Sequence, residues 1–230
     1  MDLNKLQINT DERIGKKMED NSIETEKISV YFRNIEERLL SHIKNADAVF
    51  GAVAWLTSDL ILDELSKLKN VSIVVQKEDF LRPDLNVRGD WKNKLREKYD
   101  NLQCELTRYL FSNLIGSLSY CGDPSIDPVR CVGNNNKDKK PAFPRMHNKF
   151  LVFAKVEEHK NEAPKIIPYS VWTGSFNFTK NATNSLENAL YITVPEIVNA
   201  YFNEYSQIFA ISEPLDWESD WSTPEWRIGS

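Results

Sequence analysis

The chain has 230 residues, 41% hydrophobic and 11% aromatic, and carries a net charge of −5 at neutral pH. That length corresponds to one generous domain or a domain with appendages, with enough apolar content for a soluble globular core. No stretch approaches the roughly 18–20 apolar residues of a membrane-spanning helix, and the acidic balance argues against indiscriminate nucleic-acid binding while allowing a local basic groove.

Residues 1–27 are polar, lack periodicity and read as a mobile or irregular N-terminal arm with no apolar signal region. Three cysteines form an odd, sparse set that suits a reducing cytoplasm better than a disulfide scaffold. Over residues 30–44, Tyr31, Phe32, Ile35, Leu39 and Ile43 follow helical spacing. Residues 47–56 are a compact apolar run, predicted as a buried strand, and Thr57-Ser58-Asp59 supplies an N-cap for a helix over 60–69. The strand expected at 71–76 completes a β-α-β unit, which implies a parallel pair with a right-handed crossover.

Residues 77–89 read as a loop, 90–99 as a charged helix and 104–110 as a third strand. The following 111–145 read as a long irregular loop, placed as a wall over a groove. Cys104, Cys121 and Cys131 with His159 could in principle hold zinc. However, the sequence has no closely spaced cysteine pair, and buried structural cysteines are commoner. Strands are expected at 145–153, 166–172 and 187–194, and Pro195 stands where a first helical residue should. Val198, Tyr205 and Phe209 belong to the apolar stripe of that helix. From 212 to 230 the chain is an acidic tail carrying Trp217, Trp221 and Trp226.

His147 and Lys149 lie two apart at the head of the 145–153 run. Residues i and i+2 of a strand share a face, so the imidazole and the ammonium aim at one spot. Ser175 and Asn177 repeat this spacing after the next strand. Together they offer a nucleophile or general acid, a phosphate-sized cation and two small hydrogen-bonding groups. These are the parts that displacement at a phosphodiester needs. Basic residues bunch ahead of the run at Arg130, Lys137, Lys139, Lys140 and Arg145, either as a solvated loop tip or as phosphate contacts.

His147-x-Lys149, Gly174-Ser175-x-Asn177 and Glu187-Asn188 together resemble the phospholipase D superfamily, more narrowly its small single-motif bacterial nucleases. The resemblance is carried by residues 145–190. It implies an α/β fold over 28–211 with a mixed sheet flanked by helices, one half-unit per chain. It further implies a catalytic set of His147, Lys149, Ser175, Asn177 and Glu187, with Arg145, Lys137, Lys139, Lys140, Thr179 and Asn188 on the substrate. In the superfamily one histidine attacks phosphorus to give a phosphohistidine, and a second protonates the leaving group and later activates water. No metal or cofactor takes part. Glu187 would hydrogen-bond the imidazole and fix its tautomer. The motif aspartate, five positions after the lysine, is here Ala154, which removes a supporting group rather than an attacking one.

The chain has three histidines. His42 reads as a helix-surface residue and His159 sits in a charged loop, so the second catalytic histidine must come from another copy, in a two-fold homodimer. The expected activity is a metal-independent, cytoplasmic endonuclease acting on DNA, with RNA as a second substrate, and family habit adds defence against foreign DNA. A phospholipase or other phosphodiesterase, and a catalytically inactive DNA-binding subunit, are the alternatives.

Overall fold

The computed structural model describes residues 2–5, 7–11, 14–81, 90–111, 115, 123–135, 143–160, 162–216 and 221. The strands are β1 (Gln7–Asp11), β2 (Ile14–Lys17), β3 (Ile23–Glu24), β4 (Ile28–Tyr31), β5 (Ala48–Val53), β6 (Asn70–Gln76), β7 (Val129–Val132), β8 (Lys149–Glu157), β9 (Lys165–Gly174), β10 (Ala189–Ile192) and β11 (Glu213–Pro214). The helices are α1 (Ile35–Lys44), α2 (Asp59–Leu65), α3 (Trp91–Asp100) and α4 (Pro195–Ala210). β1 and β2 form a separate antiparallel pair, and the other strands make one nine-stranded sheet in the order β11-β7-β6-β5-β8-β9-β10-β4-β3. β5, β6 and β7 run parallel, whereas β8 enters antiparallel to β5 and turns back antiparallel into β9.

The central strands are buried on both faces, which is why they read as near-continuous apolar runs. Alternation along β5 sends Val49 and Val53 to one face and Ala48, Phe50 and Ala52 to the other. β8 divides likewise, Leu151 and Phe153 against Phe150, Val152 and Ala154. Leu39, Ile43, Leu62, Leu65, Leu95 and Tyr99 of α1–α3 close the first face. Val198, Tyr205, Ile208 and Phe209 of α4 close the second. Leu39 and Ile43 are fully buried, each burial contributing roughly 1.5–3 kcal/mol. Ser58 caps α2 by accepting from the Ile61 N–H. Pro195 opens α4, where its missing N–H costs nothing. Among the described residues no helix is long and apolar enough to cross a membrane.

Several elements differ from the sequence reading. The helix expected from residue 30 starts at Ile35, because Val30 and Tyr31 pair with β10 as part of β4. The 104–110 segment is not a strand. It makes one bridge, Cys104 to Asn70, and a short 3-10 turn at Arg108–Leu110. The place beside β6 is taken by β7, which lies inside the stretch read as irregular. β7 gave little signal because it has four residues, one of them Arg130. Arg130 is fully buried and bonded to Ser212 and Asp127, which removes it from any groove. Residues 2–27, read as irregular, include β1, β2 and β3, and Asn4 Nδ2 donates to the carbonyls of Thr183 and Ser185. Cys131 and Cys104 pack against opposite faces of the sheet and cannot share a metal, while Cys121 lies outside the described residues. Of the tail, Glu213 and Pro214 form β11 against β7, and Trp217 and Trp226 lie outside the described residues.

The last strand is held from within. The fully buried Lys77 ammonium is ion-paired with the buried Glu213 carboxylate and also donates to the Trp221 carbonyl at 2.8 Å. Removing one partner of such a pair leaves the other charge buried and uncompensated. Glu213→Ala is therefore expected to cost about 3–5 kcal/mol, read as a lowered urea midpoint.

Candidate active site

The register of β8 assembles the site. Val53 at the end of β5 pairs with Lys149 at the start of β8, and Phe150 pairs with Thr173 near the end of β9. The C-terminal ends of β5, β6 and β9 therefore meet the N-terminal end of β8 along one margin of the sheet. In α/β sheets this margin is where ligands bind.

His147 does not lie within the strand, as the spacing suggested, but two residues before it. Its approach is fixed by the buried Gln76 at the end of β6. Gln76 Oε1 accepts from the Met146 N–H at 2.7 Å, while its Nε2 donates to the carbonyls of Lys77 and Asn134. A Cβ at Gly133 would lie 2.6 Å from Gln76 Oε1, and φ there is +89°, so only glycine lets the chain pass. Asn134 Nδ2 holds the Phe143 carbonyl at 2.8 Å, and the Ala54 N–H donates to the Asn148 carbonyl at 2.8 Å.

Lys149 Nζ lies 3.2 Å from His147 Nδ1, 3.4 Å from Nε2, and donates to the His147 carbonyl at 3.0 Å. Burial, the Lys149 ammonium and the Arg145 guanidinium together hold the His147 imidazole below its ordinary pKa. Burial also lowers the Lys149 ammonium, opposed by the negative charge of Glu187. The Trp55 indole, just beyond β5, meets the His147 ring edge-on at 5.3 Å and 80°. Its Nε1–H donates to Glu78 Oε1 at 3.1 Å. Burial pushes the Glu78 carboxyl up, while the Trp55 hydrogen bond and the Arg145 charge pull it down.

On the facing loop, Ser175 donates to the Glu187 carboxylate and accepts from the Asn188 N–H at 3.0 Å. The Ser175 N–H is bonded to Asn188 Oδ1 at 3.2 Å and to the Asn188 carbonyl at 3.0 Å. Gly174 permits this closeness, since a Cβ there would lie 2.3 Å from the Asn188 carbonyl oxygen. Thus Glu187 is held by Ser175 rather than by the imidazole, and the group resting on the imidazole is Lys149. Asn177 Oδ1 is buried without a hydrogen-bond partner. Asn177, Thr179 and Glu187 line one cavity of about 550 Å³ with Trp55.

The structure therefore gathers Arg145, His147, Lys149, Ser175, Asn177, Thr179, Glu187 and Asn188 at one margin of the sheet. Lys137, Lys139 and Lys140 lie outside the described residues. Trp55, Gln76 and Glu78 were missed. The available signal was their position at the ends of the two parallel strands. Neither other histidine approaches His147. His159 follows the far end of the nine-residue β8, about 27 Å along the strand. His42, on α1, is half-buried and stacks on Tyr191 at 3.8 Å and 12°, and burial lowers its pKa. Among the described residues no group of three or more His, Cys, Asp or Glu could hold a metal. Ala154 is fully buried on the α4 face of β8, roughly 17 Å along the strand from Lys149.

No family model matches the sequence. An uncharacterised protein of Acanthamoeba polyphaga mimivirus is 34% identical over 213 residues, which are 87% of this chain and 69% of that protein. Among solved structures, the phosphatidylserine synthase of Haemophilus influenzae is similar at a TM-score of 0.50 and 17% identity, over 87% of this chain and 41% of the synthase. Nuc from Salmonella typhimurium, a phospholipase D family member, reaches a TM-score of 0.47 at 18% identity, over 84% of this chain and 98% of its own. NucT from Helicobacter pylori also reaches 0.47, at 16% identity, over 82% of this chain and 98% of its own.

Two outcomes are expected from this geometry. The His147 imidazole should titrate below the ordinary value of about 6.5, and Lys149→Met should move it upward, both read from its C–H resonances by NMR. Ala154→Asp, which restores the motif aspartate, should destabilise the fold by more than about 3 kcal/mol in urea, because it buries an unpaired carboxylate.

Proposed function

This chain belongs to one family with the mimivirus protein and has the fold of the phospholipase D superfamily, and from that premise we propose that it is a metal-independent phosphodiesterase that cleaves DNA. The observation that carries the proposal is the contact of Lys149 Nζ with the His147 ring at 3.2 Å, beside the Ser175–Glu187 pair. A neutral imidazole attacks phosphorus, and Lys149 and Asn177 hold the non-bridging oxygens on which charge builds. The bond to the leaving oxygen breaks as a second imidazole gives that oxygen its proton. The first ring is left as a phosphohistidine, and water, deprotonated by the second ring, then displaces phosphate from it. The depressed His147 pKa favours the neutral attacking form near neutral pH.

The second imidazole is the His147 of another copy. His42 is half-buried and stacked on Tyr191, and His159 is at the opposite end of β8. The pair of active sites thus merges on a two-fold axis, across an isologous interface of about 1,000 Å² or more in total. Arg145, Thr179 and Asn188 flank the scissile phosphate, and Lys137, Lys139 and Lys140 are assigned to the same substrate by sequence alone. The substrate set extends to RNA, and the cellular role we favour is defence against foreign DNA in the cytoplasm. Ala154 bears little on the chemistry, because its position is buried far along β8 from Lys149.

A lipid phosphodiester is the second reading, favoured by the fold shared with a phosphatidylserine synthase. Incubation with plasmid and with phosphatidylcholine vesicles in excess EDTA separates the two. Plasmid cleavage is expected to persist in EDTA and to fall by at least about 10³-fold in His147→Ala, with Lys149→Ala losing about 10²–10³-fold. Choline release without plasmid cleavage selects the lipid reading. Light scattering should give twice the chain mass, and a monomer that still cleaves would remove the shared-site mechanism.

A further inference from the structure

The cavity beside His147 has an unusual wall. Trp55, Phe80 and Trp91 line it together with Asn177, Thr179 and Glu187, and its volume is about 550 Å³. Phe80 and Trp91 lie ring to ring at 5.6 Å and 48°, and Trp91, the first residue of α3, is 46% exposed. Trp55 is held in plane by its bond to Glu78 and joins this wall to the catalytic ring.

The lining carries no lysine or arginine among the described residues, and its one charged group is the Glu187 carboxylate. The cations for a phosphate, Lys149 and Arg145, stand instead on the His147 side, at the mouth that Asn177 and Thr179 share with this cavity. What it offers is aromatic surface, with Asn177 and Thr179 among its polar lining. A flat aromatic base matches that surface. A strand whose phosphate sits at Lys149 carries such a ring one sugar away, on the side where Trp55 leads.

We infer that this cavity is a nucleobase subsite in which Trp91 and Phe80 stack the base next to the scissile phosphate, so that the substrate is an unpaired strand. In a duplex both faces of each base are already stacked, and the base must first be drawn out of the helix. A single strand presents the face at no such cost, and aromatic stacking is worth about 1–3 kcal/mol per base. The inference rests on the phosphodiesterase reading of the His147 site and adds its substrate class.

The test measures binding of a fluorescent oligothymidylate, of a base-free deoxyribose-phosphate strand of equal length and of a blunt duplex. Full-length His147→Ala, which binds without turnover, is compared with the same protein carrying Trp91→Ala, Trp91→Leu or Trp91→Phe. Oligothymidylate is expected to bind about 5- to 100-fold more weakly when Trp91 becomes Ala or Leu, and Phe should restore most of the loss. The base-free strand and the duplex should bind all four proteins alike. Misfolding of a variant would weaken every ligand together, so the base-free strand is the internal control, and Leu keeps the apolar bulk without the ring. Equal affinity of oligothymidylate for all four proteins, or an equal loss on the base-free strand, overturns the subsite. If wild-type protein cleaves strands with no dependence on Trp91, the subsite falls and the nuclease reading stands. If the protein neither binds nor cleaves nucleic acid, both fall.

Discussion

The register of β8 is the constraint on which the rest depends. Antiparallel to both neighbours, it places Lys149 opposite Val53 and Phe150 opposite Thr173. A strand's side-chain period is two, so a slip of one residue would exchange Leu151 and Phe153 with Phe150 and Val152 between the two cores. The same slip would carry the Lys149 ammonium, with His147, to the opposite face of the sheet. The burial that stabilises the sheet thus also fixes the orientation of the ammonium. The site needs no scaffold of its own beyond the loops that leave the sheet at this margin.

Those loops are tied by few bonds, buried at Gln76 and exposed at Ser175. Gln76 joins β6, the Gly133 turn and the chain entering β8 through one amide side chain. Ser175 and Asn188 exchange bonds across the turn that follows β9. Satisfied polar groups in a low-dielectric setting hold geometry well, and broken ones are expensive. This suits the proposed chemistry, in which the imidazole meets phosphorus along one line.

Much of this was legible in the sequence, and the reasons are local. β5, β6 and β8 announced themselves because strands covered on both faces must be apolar throughout. Ser58 and Pro195 marked helix starts through backbone chemistry that neighbouring residues do not alter. The His147 and Lys149 spacing survived even though His147 lies outside the strand, since the extended approach keeps the period of two. What stayed hidden depended on distant partners. Val129–Val132 is a strand because β6 and β11 flank it, and Arg130 is tolerated there because Ser212 and Asp127 satisfy its guanidinium. The 104–110 stretch had the alternation of a strand but no edge left to join. Glu187 was placed on the imidazole by resemblance, and the turn geometry instead gives it to Ser175.

The resting place of the Lys149 ammonium has a consequence for proton traffic. Burial, and after it the two cations Lys149 and Arg145, bias His147 toward its neutral form. An anion that settles between them cancels part of that field, and the affinity of the imidazole for a proton rises by the same electrostatic interaction. In the proposed phosphodiesterase, substrate arrival would thereby be coupled to proton capture. An enclosure that keeps an imidazole ready to attack when idle would become, on loading, one in which an imidazole can carry the proton that departure of the alcohol requires.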